Sequence, residues 1–452
     1  MSSNGRIVKF VVVSCLLYLF FSIVSVLLNN QWFVWQRVNL IGDIVQKKSN
    51  ETAGHSNDIE TDMILSKNSG KDISIYNYAH LIINFSKDTS EVALSGLMKK
   101  LRELKQGTKR KIRIAYFGDS VIEGDLLTQT LRKLFQEQFG GCGVGFIPVS
   151  CISSKFRQTA TTRISDDWEE ENFKAKKLKN ALFLSGYSFS GDNQWLEVTD
   201  NTISQDSTTI EKSLFYGNSP YTTTILANNQ PITIPAGQAF GKQVVCKGTE
   251  NHVKINATKK HLPVYGVSFE SSYGVILDNF SFRGISGIEL NNLDTQMLKA
   301  VNLENSYDLI ILQYGVNVMF RPGDKNFSWY GNSLIPVINK IKKYAPGTEI
   351  IVVSTTDRAF RYNGTYSSAI GIDSLVKVQA MIAYETGSCF YNQFQTMGGR
   401  NSIVNWANSN PPLAGKDYIH PNAQGAAVLA RNFFNILMKD YYKYEKTAEI
   451  KK

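Results

Sequence analysis

The stretch that decides the fold is Lys111–Ser120, KIRIAYFGDS. Its apolar first part predicts a short buried strand over Lys111–Phe117, which runs directly into the turn Gly118-Asp119-Ser120. A helix is predicted after the turn, with apolar residues at helical spacing on its inner face: Leu127, Leu131, Leu134 and Phe135. In open α/β sheets, functional groups lie where a strand ends and the following helix begins. Ser120 is therefore a candidate functional residue.

On both sides of this strand, predicted strands and helices alternate as they do in an α/β domain. A preceding helix is expected to begin near the natural N-caps Thr89 or Ser90 and to end at Gly107. Its apolar face would consist of Leu94, Leu97, Met98, Leu101 and Leu104. Further along the chain, predicted strands at 308–313, 349–354 and 389–393 alternate with predicted helices at 334–343, 374–384 and 424–438. This alternation predicts a parallel sheet covered on both faces.

The pattern of apolar and polar residues changes between about residues 156 and 270. Helical periodicity disappears, and short alternating runs such as His252–Ala257 and Val264–Phe269 are separated by Thr, Ser, Asn and Gly. This pattern is typical of an antiparallel β-sandwich. The sequence therefore predicts a β-sandwich inserted into an α/β domain.

The N-terminal region predicts a membrane anchor. Phe10–Leu28 is a run of 19 residues without a charge, long enough as a helix to span about 28 Å. Arg6 and Lys9 precede it, which places the N-terminus in the cytoplasm and the rest of the chain outside. A cleaved signal peptide is the alternative, but no small-x-small cleavage site follows the run.

These observations divide the chain into five expected segments. They are a cytoplasmic tail and signal-anchor helix (1–30), a flexible stalk (31–88), a first α/β part (89–155), the inserted sandwich (156–270) and a second α/β part (271–445).

Composition excludes several classes of protein. The 452 residues are 43% apolar and 12% aromatic, which excludes a disordered chain and a small disulfide scaffold. The net charge of +10 comes from scattered basic residues, which argues against nucleic-acid binding.

No Cys-x-x-Cys or paired-histidine spacing predicts a metal site. Four cysteines outside the anchor leave three possible pairings, or free thiols, open: Cys142, Cys151, Cys246 and Cys389.

A base for Ser120 is found just ahead of the last predicted helix. A serine hydroxyl needs a base to remove its proton, and imidazole is suited to this task near neutral pH. His420 is the one histidine of five that falls in the α/β domain. Asp417, three residues earlier, can fix the imidazole tautomer and stabilise the imidazolium. The alternative is an ordinary surface loop that caps the helix.

Two further segments contain candidate oxyanion donors. Gly315-Val316-Asn317 follows the predicted strand 308–313, and the Asn317 amide could donate to a developing oxyanion. Gly287 ends the segment Arg283-Gly284-Ile285-Ser286-Gly287 after the strand-like stretch 274–282, and a glycine allows its N–H to approach a substrate closely. Taken alone, each segment is equally consistent with an ordinary loop or turn.

Together and in this order, the four segments resemble the blocks of the SGNH (GDSL-like) hydrolase superfamily. The resemblance implies a flavodoxin-like, three-layer α/β/α sandwich. It also implies Ser120 as nucleophile, Asp417 and His420 as its relay, and Gly287 and Asn317 as oxyanion donors beside the Ser120 N–H.

Two residues next to these blocks, Asp119 and Gly284, are candidate substrate-binding residues. The resemblance implies no metal and no organic cofactor.

A closer likeness rests on residues 118–125, GDSVIEGD, and 139–146, FGGCGVGF. They are similar to segments of periplasmic peptidoglycan O-acetylesterases, which carry a carbohydrate-module-like β-sandwich between the Ser and Gly blocks. This likeness implies a serine esterase that removes O-acetyl groups from a cell-envelope polysaccharide, with peptidoglycan as the expected substrate. The catalytic domain would then lie on the periplasmic side of the inner membrane, held by a single-pass anchor.

Two alternatives stay open. The same residues could pass the acetyl group to a sugar hydroxyl, with a multi-span acyltransferase as partner. A non-catalytic glycan-binding module is the other alternative, against which the intact Ser120, Asp417 and His420 argue. Aromatic residues of the insert could stack on sugars, although such residues are more often core: Trp168, Tyr187, Trp195 and Tyr216.

Overall fold

A computed structural model describes residues 73–86, 92–203 and 208–450 of the chain. The predicted anchor helix over Phe10–Leu28 lies outside these residues. Within the described ranges, no helix is both long and apolar enough to cross a membrane.

The described residues form strands and helices whose bounds are as follows. The strands are β1 (Ile82–Asn84), β2 (Lys111–Gly118), β3 (Gly145–Pro148), β4 (Ala160–Ile164), β5 (Glu169–Asn172), β6 (Tyr187–Ser190), β7 (Leu196–Asp200), β8 (Ile210–Gly217), β9 (Thr223–Ala227), β10 (Gln230–Ile234), β11 (Phe240–Gly248), β12 (His252–Asn256), β13 (Val264–Ser271), β14 (Gly274–Ser281), β15 (Leu309–Gln313), β16 (Glu349–Val353), β17 (Ala359–Tyr362), β18 (Thr365–Ser368) and β19 (Cys389–Tyr391). The α-helices are α1 (Ser95–Lys105), α2 (Thr128–Phe139), α3 (Thr295–Glu304), α4 (Ser328–Tyr344), α5 (Ile372–Thr386), α6 (Gln393–Met397), α7 (Ser402–Asn408) and α8 (Ala423–Ile450). Short 3₁₀ helices cover Ser74–Asn77, Ser120–Asp125 and Ile288–Asn292.

The central sheet has six strands in the order β1-β19-β16-β15-β2-β14. The five strands from β19 to β14 are parallel, and β1 is antiparallel to β19. Numbered along the chain, the parallel strands have the order 2-1-3-4-5, which is the flavodoxin-like order. The predicted α/β class is therefore confirmed.

Helices cover both faces of this sheet. Successive side chains of each strand point to opposite faces, so neighbouring residues of one strand pack against different helices. In β2, Ile114 and Tyr116 join a buried cluster with residues of α1, α2 and α8. Ala115 and Phe117 join a second cluster that contains residues of α3, α4 and α5. The domain therefore has the three layers expected of an α/β/α sandwich.

The inserted segment folds as two antiparallel sheets. One has the order β10-β9-β12-β7-β4, and the other has the order β11-β8-β13-β6-β5 with β3 paired to β13. The predicted lower boundary at 156 is too late, because Gly145–Pro148 already belongs to the second sheet. Tyr187 and Tyr216 lie in the buried core of the insert, so they are not exposed for sugar stacking. The described cysteines are free thiols: Cys142, Cys151, Cys246 and Cys389.

The predicted stalk over 31–88 is wrong for its last part. Residues 73–86 include β1, whose Ile82 and Ile83 are buried and paired with β19. The Asn392 amide also donates to the Tyr76 carbonyl at 2.7 Å. A strand of three residues is too short to show a period in the sequence.

Two predicted helix boundaries also differ from the structure. Helix α1 begins at Ser95 rather than near residue 89, and Leu94 before it has a left-handed φ of 55°. The carboxylate of Glu349 caps this helix by accepting from the N–H groups of Gly96 at 3.2 Å and Leu97 at 2.5 Å. At the other end of the chain, α8 continues to Ile450, beyond the predicted helix end at residue 438.

A buried ion cluster joins the sandwich to the central sheet. Glu270 of β13 accepts from the two terminal nitrogens of Arg113 in β2 at 3.0 and 2.6 Å. The Lys242 ammonium lies 2.9 Å from both oxygens of the same carboxylate, and the Lys111 ammonium lies 3.0 Å from one. Burial raises the pKa of Glu270, but the three cations outweigh this effect and hold the pKa well below its ordinary value. The carboxylate is therefore ionised wherever the protein is folded near neutral pH.

We expect Glu270→Gln to lower the free energy of unfolding by about 3–5 kcal/mol at pH 7, because it leaves buried cations unpaired. Since the folded pKa of Glu270 lies below the ordinary value of 4.5, its stabilisation is present above that pH and is lost as the pH falls. Urea unfolding at pH 7, 5 and 4 should give a steeper acid loss for wild type than for the variant.

The matched control is Glu103→Gln, which removes a partly exposed ion pair to Arg110 at 3.0 Å. We expect it to cost less than about 1 kcal/mol. Equal losses in the two variants would show that the Glu270 cluster contributes no more than a surface pair.

Candidate active site

Ser120 lies at the carboxyl end of β2, where this strand closely approaches β15. A Cβ atom at Gly118 would lie 2.9 Å from the Gln313 carbonyl oxygen of β15 and 2.9 Å from the Ile122 side chain. Only glycine fits at this position without displacing its neighbours. The next residue, Asp119, accepts from the Val121 N–H at 3.0 Å and so caps the 3₁₀ turn that begins at Ser120.

The structure brings Ser120, His420 and Asp417 together although 300 residues separate the first two. Ser120 Oγ lies 2.8 Å from His420 Nε2, and His420 Nδ1 lies 2.6 Å from Asp417 Oδ2. The His420 and Asp417 side chains are partly exposed, so the site opens to solvent. This is the hydrogen-bonded chain that activates a serine hydroxyl as a nucleophile.

The loop around Asp417 fixes the carboxylate in its place. The second oxygen, Oδ1, accepts from the N–H groups of Ile419 at 3.0 Å and His420 at 3.2 Å. Partial burial raises the pKa of Asp417, but the hydrogen bonds from His420 and Ile419 lower it further, and the net result is a pKa below its ordinary value. The ionised carboxylate therefore favours a proton on His420 Nδ1, which leaves Nε2 free to accept the serine proton.

Gly287 and Asn317 approach the same edge of the sheet because their loops follow the two neighbours of β2. In the parallel registers, Gly118 lies opposite both Ser281 of β14 and Gln313 of β15. The Asn317 amide donates to the Ile285 carbonyl at 2.9 Å, which ties the two loops together.

One of the two amide hydrogens of Asn317 makes this tie, and hydrogen bonding from the Asn317 side chain also helps to lower the pKa of Asp119, so the oxyanion role of Asn317 stays a prediction. Gly287 has a φ of 91°, and a Cβ there would lie 2.6 Å from the Tyr314 ring. This position therefore requires glycine for its backbone conformation and for space.

The two predicted substrate-binding residues have different positions. Asp119 is buried, with 1% of its surface exposed, and its role in substrate binding stays a prediction. Burial raises the pKa of Asp119 to about 6, partly offset by the Val121 N–H and the charge of His420. Gly284 is exposed in the loop that carries Gly287, and its role in substrate binding stays a prediction.

Sequence reasoning missed a hairpin beside the site, formed by β17 and β18. At its base, the Arg358 Nη1 group donates to the Val316 carbonyl of the Asn317 loop. The next residue, Ala359, donates its N–H to the Tyr418 carbonyl of the His420 loop at 3.0 Å. The turn Asn363-Gly364 between aromatic runs is a hairpin signal that could have revealed it.

We expect Asn317→Ala to lower kcat by about 10²–10³-fold on an aryl acetate, because one oxyanion donor is lost. KM should change much less, since the donor acts on charge that develops in the transition state. The matched control is Asn201→Ala in the sandwich, whose amide also donates to a backbone carbonyl, that of Gln158 at 3.0 Å. Equal kcat values for Asn317→Ala and wild type would remove Asn317 from the oxyanion hole.

Comparison with known proteins identifies similar folds among solved structures. No family model and no curated protein matches the chain. A solved peptidoglycan O-acetylesterase structure has a TM-score of 0.66 at 20% identity, covering 80% of this chain and 99% of that one. A family two carbohydrate esterase from Cellvibrio japonicus (TM-score 0.27, 11% identity, 62% of this chain and 99% of that one) also matches. So does an acetyl xylan esterase from Geobacillus stearothermophilus (TM-score 0.28, 19% identity, 36% and 73%). The resemblance predicted from the four sequence blocks is therefore confirmed at the level of fold: the chain has the fold of that peptidoglycan O-acetylesterase structure.

Proposed function

We propose that this protein is a serine esterase that removes O-acetyl groups from a cell-envelope polysaccharide, with peptidoglycan as its substrate. The observation that carries the proposal is the hydrogen-bonded chain from Ser120 through His420 to Asp417 at the carboxyl edge of the sheet. The shared fold with a peptidoglycan O-acetylesterase supports the choice of substrate.

The first half of the reaction forms an acetyl-enzyme. His420 Nε2 takes the Ser120 proton while Oγ attacks the acetyl carbonyl carbon, and the carbonyl oxygen becomes an oxyanion. The N–H groups of Gly287 and Ser120 and the Asn317 amide would donate to that oxyanion. The intermediate then breaks its bond to the sugar oxygen, which leaves as a hydroxyl with the proton from His420.

The second half releases acetate. A water molecule gives a proton to His420 Nε2 and attacks the acetyl-enzyme, and the second oxyanion is held by the same donors. When this intermediate breaks its bond to Ser120 Oγ, His420 returns the proton to the serine. Throughout, the Asp417 carboxylate stabilises the imidazolium that forms twice in each cycle.

One sequence observation favours a second candidate function, acetyl transfer to a sugar hydroxyl. The apolar run Phe10–Leu28 would tether the domain at the periplasmic face of the inner membrane. A tether raises the effective concentration of any membrane partner, such as a multi-span acyltransferase. His420 is partly exposed, so its base is accessible to solvent and to an acceptor hydroxyl.

The deciding experiment uses the full chain in detergent, with O-acetylated peptidoglycan and an aryl acetate as substrates. We expect acetate release from both, and a loss of at least about 10⁴-fold in kcat for Ser120→Ala. Ser333→Ala, at a partly exposed position of α4, serves as control. If wild type hydrolyses neither ester, the esterase proposal is wrong. Acetyl transfer to added oligosaccharide that outpaces hydrolysis would instead support the second candidate.

The proposed anchor has its own test. We expect the full chain to sediment with the inner membrane and to resist extraction by alkaline carbonate, because 19 uncharged residues can span the bilayer. Protease added to spheroplasts should digest the catalytic domain. A chain found in the carbonate supernatant would contradict the anchor, and a domain protected in intact spheroplasts would contradict its periplasmic side.

A further inference from the structure

The hairpin of β17 and β18 contacts the two loops that carry the predicted oxyanion donor and the relay. These are the Asn317 loop, residues 315–322, and the His420 loop, residues 415–420. The two loops are distant in the chain, so their relative position depends on contacts that bridge them. The hairpin supplies such contacts, because it binds both loops.

The two faces of the hairpin contact different loops. Tyr362 and Tyr366 point to opposite faces, because the register pairs Tyr362 with the residue before Tyr366. The Tyr362 hydroxyl donates to the Pro322 carbonyl of the Asn317 loop at 2.7 Å. The Tyr366 ring lies 4.2 Å, centre to centre, from the ring of Tyr418 in the His420 loop. The hairpin is therefore a spacer between the two loops.

Arg358, at the base of the hairpin, binds the Asn317 loop next to its functional group. The Arg358 Nη1 group donates to the Val316 carbonyl. This carbonyl and the Asn317 N–H belong to one planar peptide unit, so the bond fixes the orientation of the Asn317 backbone. The guanidinium carbon also lies 4.6 Å from the centre of the Phe360 ring, which limits the positions that the arginine can adopt.

Ala359, the next residue, binds the relay in the same manner. Its N–H donates to the Tyr418 carbonyl at 3.0 Å. The same peptide unit provides the Ile419 N–H, which donates to Asp417 Oδ1 at 3.0 Å. Two consecutive residues thus hold the peptide that precedes Asn317 and the peptide that binds Asp417.

The base of the hairpin is itself fixed to the domain. The Arg358 carbonyl accepts from the Ala369 N–H at 2.7 Å. Buried Asp357, one residue earlier, accepts from the Ser368 hydroxyl at 3.0 Å and from the Ile403 N–H of α7 at 3.1 Å. An arginine on such a base can determine where a neighbouring loop lies.

The Arg358 guanidinium is held by the loop rather than by an ion pair. Within the described residues, no carboxylate oxygen lies within 4.0 Å of this half-buried side chain. Burial lowers the pKa of Arg358, and the carboxylates of Asp417 and Asp119 oppose this effect from longer range. The hydrogen bond to the Val316 carbonyl is therefore the polar contact that commits the arginine to the Asn317 loop.

We propose that Arg358 is a positioning residue for the esterase reaction. It holds the peptide before Asn317 at a fixed place relative to the relay, so that the Asn317 amide reaches the oxyanion formed when Ser120 attacks. This inference rests on the proposed esterase function and on Asn317 as an oxyanion donor. The arginine acts through Asn317 and does not touch the substrate.

The competing explanation is a purely structural role, in which the arginine only stabilises the fold. A residue that acts through Asn317 has no effect once the Asn317 amide is absent, whereas a structural residue costs the same in either background. Positioning also lowers kcat with little change in KM, because the oxyanion develops only in the transition state. A double-mutant cycle in kcat therefore separates the two roles.

The cycle compares the full chain as wild type, Arg358→Met, Asn317→Ala and the double variant on an aryl acetate. Methionine keeps an apolar stem beside Phe360 and removes the donor. We expect Arg358→Met to lower kcat about 10- to 100-fold at nearly unchanged KM, because a small displacement of a catalytic group is costly. In the Asn317→Ala background, the same change should lower kcat less than about threefold. A full second loss in the double variant overturns the proposal.

Two further variants control for charge and for the hairpin as a whole. We expect Arg358→Lys to keep kcat within about fivefold of wild type, because an ammonium can donate to the same carbonyl. Arg361 lies on the same hairpin, but its Nε bonds to the Gly364 carbonyl at 3.2 Å, so Arg361→Met should keep the wild-type kcat. Equal losses in Arg358→Met and Arg361→Met contradict a specific role of Arg358. If Arg358→Met does not fold, Arg358→Gln takes its place in the cycle.

Hydrogen exchange gives a readout that needs no substrate. In the Asn317 loop, the N–H groups of Val318 and Met319 bond to the Gly315 carbonyl at 2.9 and 3.2 Å. We expect these amides to exchange at least about tenfold faster in Arg358→Met, with the amides of β15 unchanged. Unchanged exchange in the loop, or equal acceleration in β15, overturns the proposal and leaves the esterase function intact. Wild type without activity on any ester overturns the proposed function and, with it, the role of Arg358 in the reaction.

Discussion

The parallel pairing of β2 with β14 on one side and β15 on the other is the constraint on which the site depends. At Gly118 the strand has Ser281 and Gln313 as its two neighbours in register. The chain leaves all three strands at this point, so the loops that carry Ser120, Gly287 and Asn317 must meet there. The close approach at Gly118 permits no side chain, which explains why a glycine precedes the serine turn.

β2 and β14 are neighbours in the sheet although a whole β-sandwich separates them in the chain. The insert begins at β3 and ends at β13, and the chain then enters β14, which pairs with β2. The Glu270 cluster joins the sandwich to β2, because Arg113 belongs to β2 itself while Lys242 belongs to β11. A buried carboxylate with three cationic partners tolerates little displacement, since each lost partner leaves an unpaired charge. The sandwich is thereby joined rigidly to the strand that carries the nucleophile.

The part of this architecture that could be predicted from the sequence is the part with a local signal. The strand before Ser120 and the Asp417–His420 spacing show in a few neighbouring residues, and elimination among five histidines led to His420. The start of α1 could not be predicted, because its cap is Glu349, more than 250 residues away. Likewise β1 has three residues and exists through its pairing with β19. The burial of Asp119 also depends on distant strands, so the sequence around it carries no signal for it.

The two aspartates near His420 have pKa values that are shifted in opposite directions. The pKa of Asp417 is lowered, so its charge is present at any pH where the site works. Burial raises the pKa of Asp119 to about 6, so the stability linked to this group is greatest at low pH and is lost as the pH rises through 6. The charge of His420 opposes this rise in the pKa of Asp119, and the carboxylates of Asp119 and Asp417 both act on Arg358 at longer range. The fold therefore keeps one aspartate ionised beside the base and buries the other, whose charged form is costly.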